Sequence, residues 1–132
     1  MRYRPGEHMF NEDEMAWRIR RLRRTLHRYR GFDILLTHAP IRGLGDQEDL
    51  PHRGFECFRG LLDRYEATVM IHGHVHRSYT TSFVRSREYN GVEVINACGA
   101  YFFDLPERRN KKEPSRWVGV LERRQARKMG LG

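Results

Sequence analysis

The chain of 132 residues carries 25 Lys and Arg against 17 Asp and Glu, a formal charge of +8, and 39% of its residues are apolar. That length suits one hydrophobic core and excludes two independent ones, and no apolar stretch approaches the ~18 residues of a transmembrane helix. No apolar run follows the basic opening, so no secretory signal is read, and Cys57 and Cys98 fit neither a disulfide framework nor a C-x-x-C motif. Reduced thiols in a cytoplasmic protein are expected.

The first ten residues, with Pro5 and Gly6, read as a loop. Asn11 and Glu14 have the spacing of a reciprocal helix cap. Met15, Ile19, Leu22, Leu26 and Tyr29 then recur at helical steps, with arginines on the remaining faces and Gly31 placed to end the helix. Residues 33–37 read as a short buried strand packed on both faces, ended by His38-Ala39-Pro40. A Gly- and acid-rich loop spans 43–49. A second helix is expected from Pro51 to Tyr65, carrying Phe55, Phe58, Leu62 and Tyr65 on one side. Residues 68–72 form another buried-type strand that runs into Gly73-His74-Val75-His76.

Two strands joined by a helix predict a parallel pair in an α/β layer. Beyond it, 78–85, 92–97 and 117–121 read as β segments with no helix between them, Asn90-Gly91 supplying a turn. The charged tail 107–132, with its last strand expected at 117–121, is separated from a main unit over 1–106, and its composition suits partial disorder.

The positive charge is unevenly placed. Residues 18–30 hold seven arginines and no acid, the tail from 107 holds nine basic residues against three acids, and 31–106 is mildly acidic. This pattern supports one alternative function, a nucleic-acid-binding module using the 18–30 helix and the tail. The simpler expectation is a solvated outer face, because 18–30 shows no interleaved aromatic platform. Tyr101, Phe102 and Phe103 read as core residues.

His38, His74 and His76 stand at strand ends, where ligands bind in α/β sheets. His74 and His76 lie two apart, so extended chain would project them to one side, and Gly73 permits close backbone approach. Three converging imidazoles suit one divalent ion, or part of a two-ion clamp on a phosphoryl group. His72 shares their parity and is expected behind the ligands or facing phosphate. His52, near a helix start, reads first as a cap-region histidine and second as a candidate phosphate contact. His8 and His27 read as surface residues.

Asp33-Ile34-Leu35-Leu36-Thr37-His38-Ala39-Pro40, followed by Ile71-His72-Gly73-His74-Val75-His76, resembles the last two motifs of the calcineurin-like metallophosphoesterases. In that family a lone His ends one strand and G-H-x-H ends the next. The resemblance runs from about Asp33 to Asp104, and the opening Arg2-Tyr3-Arg4-Pro5-Gly6 is similar to bacterial members. It implies a four-layer αββα sandwich with a binuclear Mn, Fe or Zn site. His38 and His74 would bind the second metal and His76 the first. The implied activity is hydrolysis of phosphomonoesters or phosphodiesters by metal-activated water.

The family's D-x-H, G-D-x-x-D and G-N-H-[DE] motifs, which supply the bridging Asp, three further ligands and the His that protonates the leaving group, do not occur in residues 1–37. Gly45-Asp46-Gln47-Glu48-Asp49 spells G-D-x-x-D but follows His38, with no strand leading into it, and reads as an acidic loop. The expectation is therefore the C-terminal half of such a domain, binding at most one metal weakly, with little turnover alone. Self-association or pairing with a separate N-terminal half would complete it.

Overall fold

The computed structural model describes residues 9–79 and 83–107, so His8, the tail and the strand expected at 117–121 lie outside the described residues. Helix α1 spans Glu12–Tyr29 and begins as its sequence dictates. The Asn11 side chain accepts from the Glu14 N–H at 2.9 Å, and Glu14 Oε2 accepts from the Asn11 N–H at 2.8 Å. Its exit differs from the expectation by one residue: Arg30, not Gly31, takes the left-handed conformation at φ 56. The Gly31 N–H reaches Leu26 O and the Arg30 N–H reaches His27 O, which closes the last turn. Gly31 follows at φ 107 against Tyr65, whose carbonyl would lie 3.2 Å from any added Cβ.

Strand β1 (Ile34–Leu36) is joined to strand β2 (Val69–His72) through helix α2 (Cys57–Tyr65), and the two strands are parallel, as expected. Strand β4 (Val92–Asn96) also lies parallel to β2, on its other side. Strand β3 (Ser86–Tyr89) completes a mixed sheet of order β1-β2-β4-β3. The β segment expected over 78–85 is displaced: Arg77–Tyr79 form a 3-10 turn, and the strand starts at Ser86. Asn90 and Gly91, at φ 48 and 78, make a two-residue hairpin that pairs Tyr89 with Val92 and Ser86 with Ile95. Such a turn fixes the partner strand directly before it.

The second helix also starts later than expected. Leu50–His52 form a separate 3-10 turn, and residues 53–55 run extended along Ile41, which bridges Phe55. A Cβ on Gly54 would stand 2.5 Å from the Ile41 carbonyl carbon, so this approach requires glycine. Helix α2 begins at Cys57 without a capping side chain of its own. Glu12 of α1 supplies it, its carboxylate accepting from the Glu56 N–H at 3.0 Å and the Cys57 N–H at 2.6 Å. Burial, with the Glu12 carboxylate adding to it, pushes the Cys57 thiol up to about 12.

Both helices serve one face of the sheet. Leu35, Met70 and Val94 share a row there, and they pack with Phe58, Leu62, Ile41, Met15 and Ile19. The opposite face carries the row Leu36, Ile71, Ile95, which passes from full burial at Ile95 to 74% exposure at Leu36. Strand β1 is therefore an edge strand open on one face, not a strand packed on both. Tyr101 and Phe102 are exposed, Phe102 at 93%, so the core role expected for them does not hold; Tyr101 stacks on Phe103 instead. Among the described residues no helix is long and apolar enough to cross a membrane.

Candidate metal and phosphate site

Strands β1, β2 and β4 run parallel, so their C-terminal ends share one edge. The pairing of β1 with β2 continues past both strands, Thr37 N–H to Ile71 O and Gly73 N–H to His38 O, at 3.0 and 3.1 Å. This brings His38 and His74 together from positions 36 residues apart.

His74 does not continue the extended chain. It sits at φ 67 in a three-residue turn closed by the Val75 N–H on Gly73 O at 2.8 Å. A non-glycine residue there stores roughly 1–3 kcal/mol of strain, and such residues concentrate at functional sites. Buried Asn96, at the end of β4, holds the turn by donating Nδ2–H to Val75 O at 2.8 Å. Its Oδ1 accepts from the Cys98 N–H. The turn also breaks the alternation expected to put His72, His74 and His76 on one side.

The two nitrogens of the His74 ring have different partners. Nε2–H donates to Pro51 O at 2.6 Å, which leaves Nδ1 as a lone pair, 3.0 Å from His38 Nε2. In the neutral pair His38 Nε2–H donates to that lone pair. The carbonyl on the far nitrogen fixes tautomer and ring direction, as for histidines that ligate metals. Burial lowers the His74 pKa below the ordinary histidine range; the Pro51 hydrogen bond opposes this, and His38, His52 and His76 reinforce it.

His52 enters the same cluster. Its ring centroid is 5.1 Å from that of His74, and its Nδ1 faces Asp49 Oδ2 at 2.6 Å. The loop that brings Pro51 and His52 over the strand ends is fastened by Asp46, whose two oxygens accept from the Gly43 and Gly54 N–H groups at 2.8 and 2.9 Å. The acids of the literal G-D-x-x-D are thus occupied, Asp46 with loop backbone and Asp49 with His52. An open depression of about 510 Å³ lies along this loop, lined by Arg42, Gly43, Asp46, Gln47, Glu48 and Arg53.

His76 is exposed, and the structure does not bring it into a ligand set with His38 and His74. His72 is buried beneath Gly45 and donates Nδ1–H to Gly73 O. Burial lowers its pKa too, with the hydrogen bond to Gly73 opposing and His74 and Arg87 reinforcing. His27 is on the surface, as expected.

The spacing of His38 Nε2 and His74 Nδ1 is that of a hydrogen bond, and it also lies in the range that two ligands of one ion would take. Two imidazole nitrogens on one ion at about 2.0–2.1 Å would stand roughly 2.9–3.4 Å apart, and His38 Nε2 and His74 Nδ1 stand 3.0 Å apart. Among the described residues no three His, Cys, Asp or Glu side chains form a ligand group. Sequence reasoning missed Pro51, because a backbone carbonyl leaves no residue-type signal. It also missed Asp49 as the partner of His52, although their spacing of three was there to read. Compared with known proteins, the chain matches no family profile, no curated protein and no solved structure.

Proposed function

We propose that this chain supplies the histidine half of a divalent-metal centre for phosphate-ester hydrolysis. In this reading the fold is the C-terminal half of a metallophosphoesterase-type αββα sandwich. The observation that carries it is the His38–His74 pair, 3.0 Å apart at adjacent parallel strand ends. His74 is held there in a strained turn with its far nitrogen committed to Pro51. The T-H-A-P and G-H-V-H resemblance agrees with this pair.

His38 and His74 present the two nitrogen donors to Mn, Fe or Zn, with the His38 proton displaced to its other nitrogen. His76 lies close enough for its charge to act on His74, but it stands outside the pair, and only the resemblance makes it a ligand, of the other metal of the complete site. His52, oriented by Asp49, contacts the phosphate oxygens. When bound, the metal supplies water activation and neutralisation of phosphoryl charge. The exposed Leu36 and Ile34 of the edge strand support completion by further polypeptide, either an N-terminal half or a second copy.

Metal content after loading with Mn²⁺ or Zn²⁺ and gel filtration tests the pair. We expect up to one ion per chain, lost at least tenfold in affinity with His74→Ala or His38→Ala, and little hydrolysis of a chromogenic phosphodiester by the chain alone. Metal binding unchanged by both substitutions would overturn the site. Vigorous turnover by the unassisted chain would overturn its incompleteness.

A further inference from the structure

Helix α1 has a second face, turned away from the core that Met15 and Ile19 pack against. At 100° per residue, Trp17 stands opposite the stripe of Met15, Ile19, Leu22 and Leu26. Arg20, Arg21, Arg24 and Arg28 follow it at steps of three, four, seven and eleven, so all four lie on its face of the helix, with Arg20 and Arg21 one turn away. Trp17 is 51% exposed, and the Arg21 guanidinium lies over its ring, 4.8 Å from the centroid. The aromatic platform that 18–30 lacks in sequence is thus provided by the residue just before it.

The acids of α1 are confined to its first turn, where Glu12 and Glu14 act as caps. No acid follows through Tyr29. The His52–Asp49 and Arg59–Glu56 ion pairs do not involve this face. Arginines at 20, 24 and 28 repel one another at steps of four, which weakens the helix locally. A merely solvated face gains nothing from that arrangement, whereas a polyanion neutralises it.

We infer that the Trp17–Arg20–Arg21–Arg24–Arg28 face of α1 binds single-stranded nucleic acid, the arginines taking phosphates and the indole stacking on a base. From Trp17 to Arg28 the face runs roughly 16 Å along the helix axis, enough for a few nucleotides. An exposed ring among cations matches the combination used for single strands. In a duplex the base faces are covered, leaving the indole unused. A membrane surface would need the apolar stripe outward, but Met15 and Ile19 are packed on the core.

The test is anisotropy of a labelled mixed-sequence DNA single strand with the full chain, in chelator, across a salt series, so that it does not depend on the metal reading. Binding is expected at low salt. Arg20→Ala, Arg24→Ala and Arg28→Ala together should weaken it at least tenfold and reduce the salt slope by about 2. Trp17→Ala should weaken it roughly 5- to 100-fold, and Trp17→Phe much less. Alanine suits a helix surface, and unchanged circular dichroism verifies folding. Absence of binding, binding that ignores both sets of substitutions, a preference for duplex, or binding to anionic vesicles alone would each overturn the inference.

Discussion

The two helices teach different lessons about how this chain holds together. Helix α1, Glu12–Tyr29, is twice the length of α2 and has both of its ends closed by its own residues, yet it buries no side chain fully. Helix α2, Cys57–Tyr65, has no cap of its own and buries Phe58, Leu61 and Leu62. Each such burial contributes about 1.5–3 kcal/mol. The first helix is therefore secured by local hydrogen bonds, and the second by tertiary packing and by a carboxylate borrowed from the first.

This contrast can be broken most forcefully at Gly54. A Cβ there meets the Ile41 backbone at 2.5 Å, which no rotamer relieves. We expect Gly54→Ala to cost about 3 kcal/mol or more in urea unfolding; a loss below ~1 kcal/mol would show that the segment leading into α2 yields easily. Next in size is Glu12→Ala, which strips α2 of its two carboxylate hydrogen bonds and should cost about 1–2 kcal/mol. Asp13→Ala, in the same first turn, should cost less than about 0.5 kcal/mol. Equal losses would mean that Glu12 acts on its own helix rather than across to α2.

The smallest effect sharpens the comparison by chemistry. With its thiol pushed up to about 12, Cys57 should alkylate at pH 8.5 at least about tenfold more slowly than in unfolded chain, read by mass spectrometry of the labelled peptide. The linked stability is fully present below the unfolded thiol's pKa of 9.0. Above it the unfolded chain loses its proton first, so stability falls as pH rises from there toward 12. Equal alkylation rates in the two states would remove Cys57 from the α1–α2 junction.

What was legible in the sequence follows the same division. The start of α1 could be read because Asn11 and Glu14 lie three apart and act on each other. The start of α2 could not, because its cap is Glu12, 44 and 45 residues away from the groups it receives. The parallel β1–β2 pair was legible from apolar runs joined by a helix. The place of β1 at the sheet edge was not, since an apolar run has the same spelling whether covered or open. The turn Asn90-Gly91 was visible, and its two-residue geometry would have located β3 had the strand been counted back from it.

At the candidate site, His38 and His74 were legible as strand-end residues, and the structure brings those two together. The parity argument that added His76 and His72 assumed extended chain, and the left-handed turn at His74 ends that assumption. Trp17 escaped notice because it precedes the basic run in sequence; only the helical repeat places it on the same face as those arginines.

The open side of β1 gives the molecule's thermodynamics an additional variable. Under the proposed completion, a second copy or an N-terminal half on that edge would join the folded state and leave the unfolded one, so folding would become a reaction of higher order. Its midpoint would then shift with the amount of material present, by mass action. Under that proposal the burial gradient from Ile95 to Leu36 would be a term in the stability as well as a feature of the surface. A dilute and a concentrated solution of the chain would then differ in the balance between folded and unfolded.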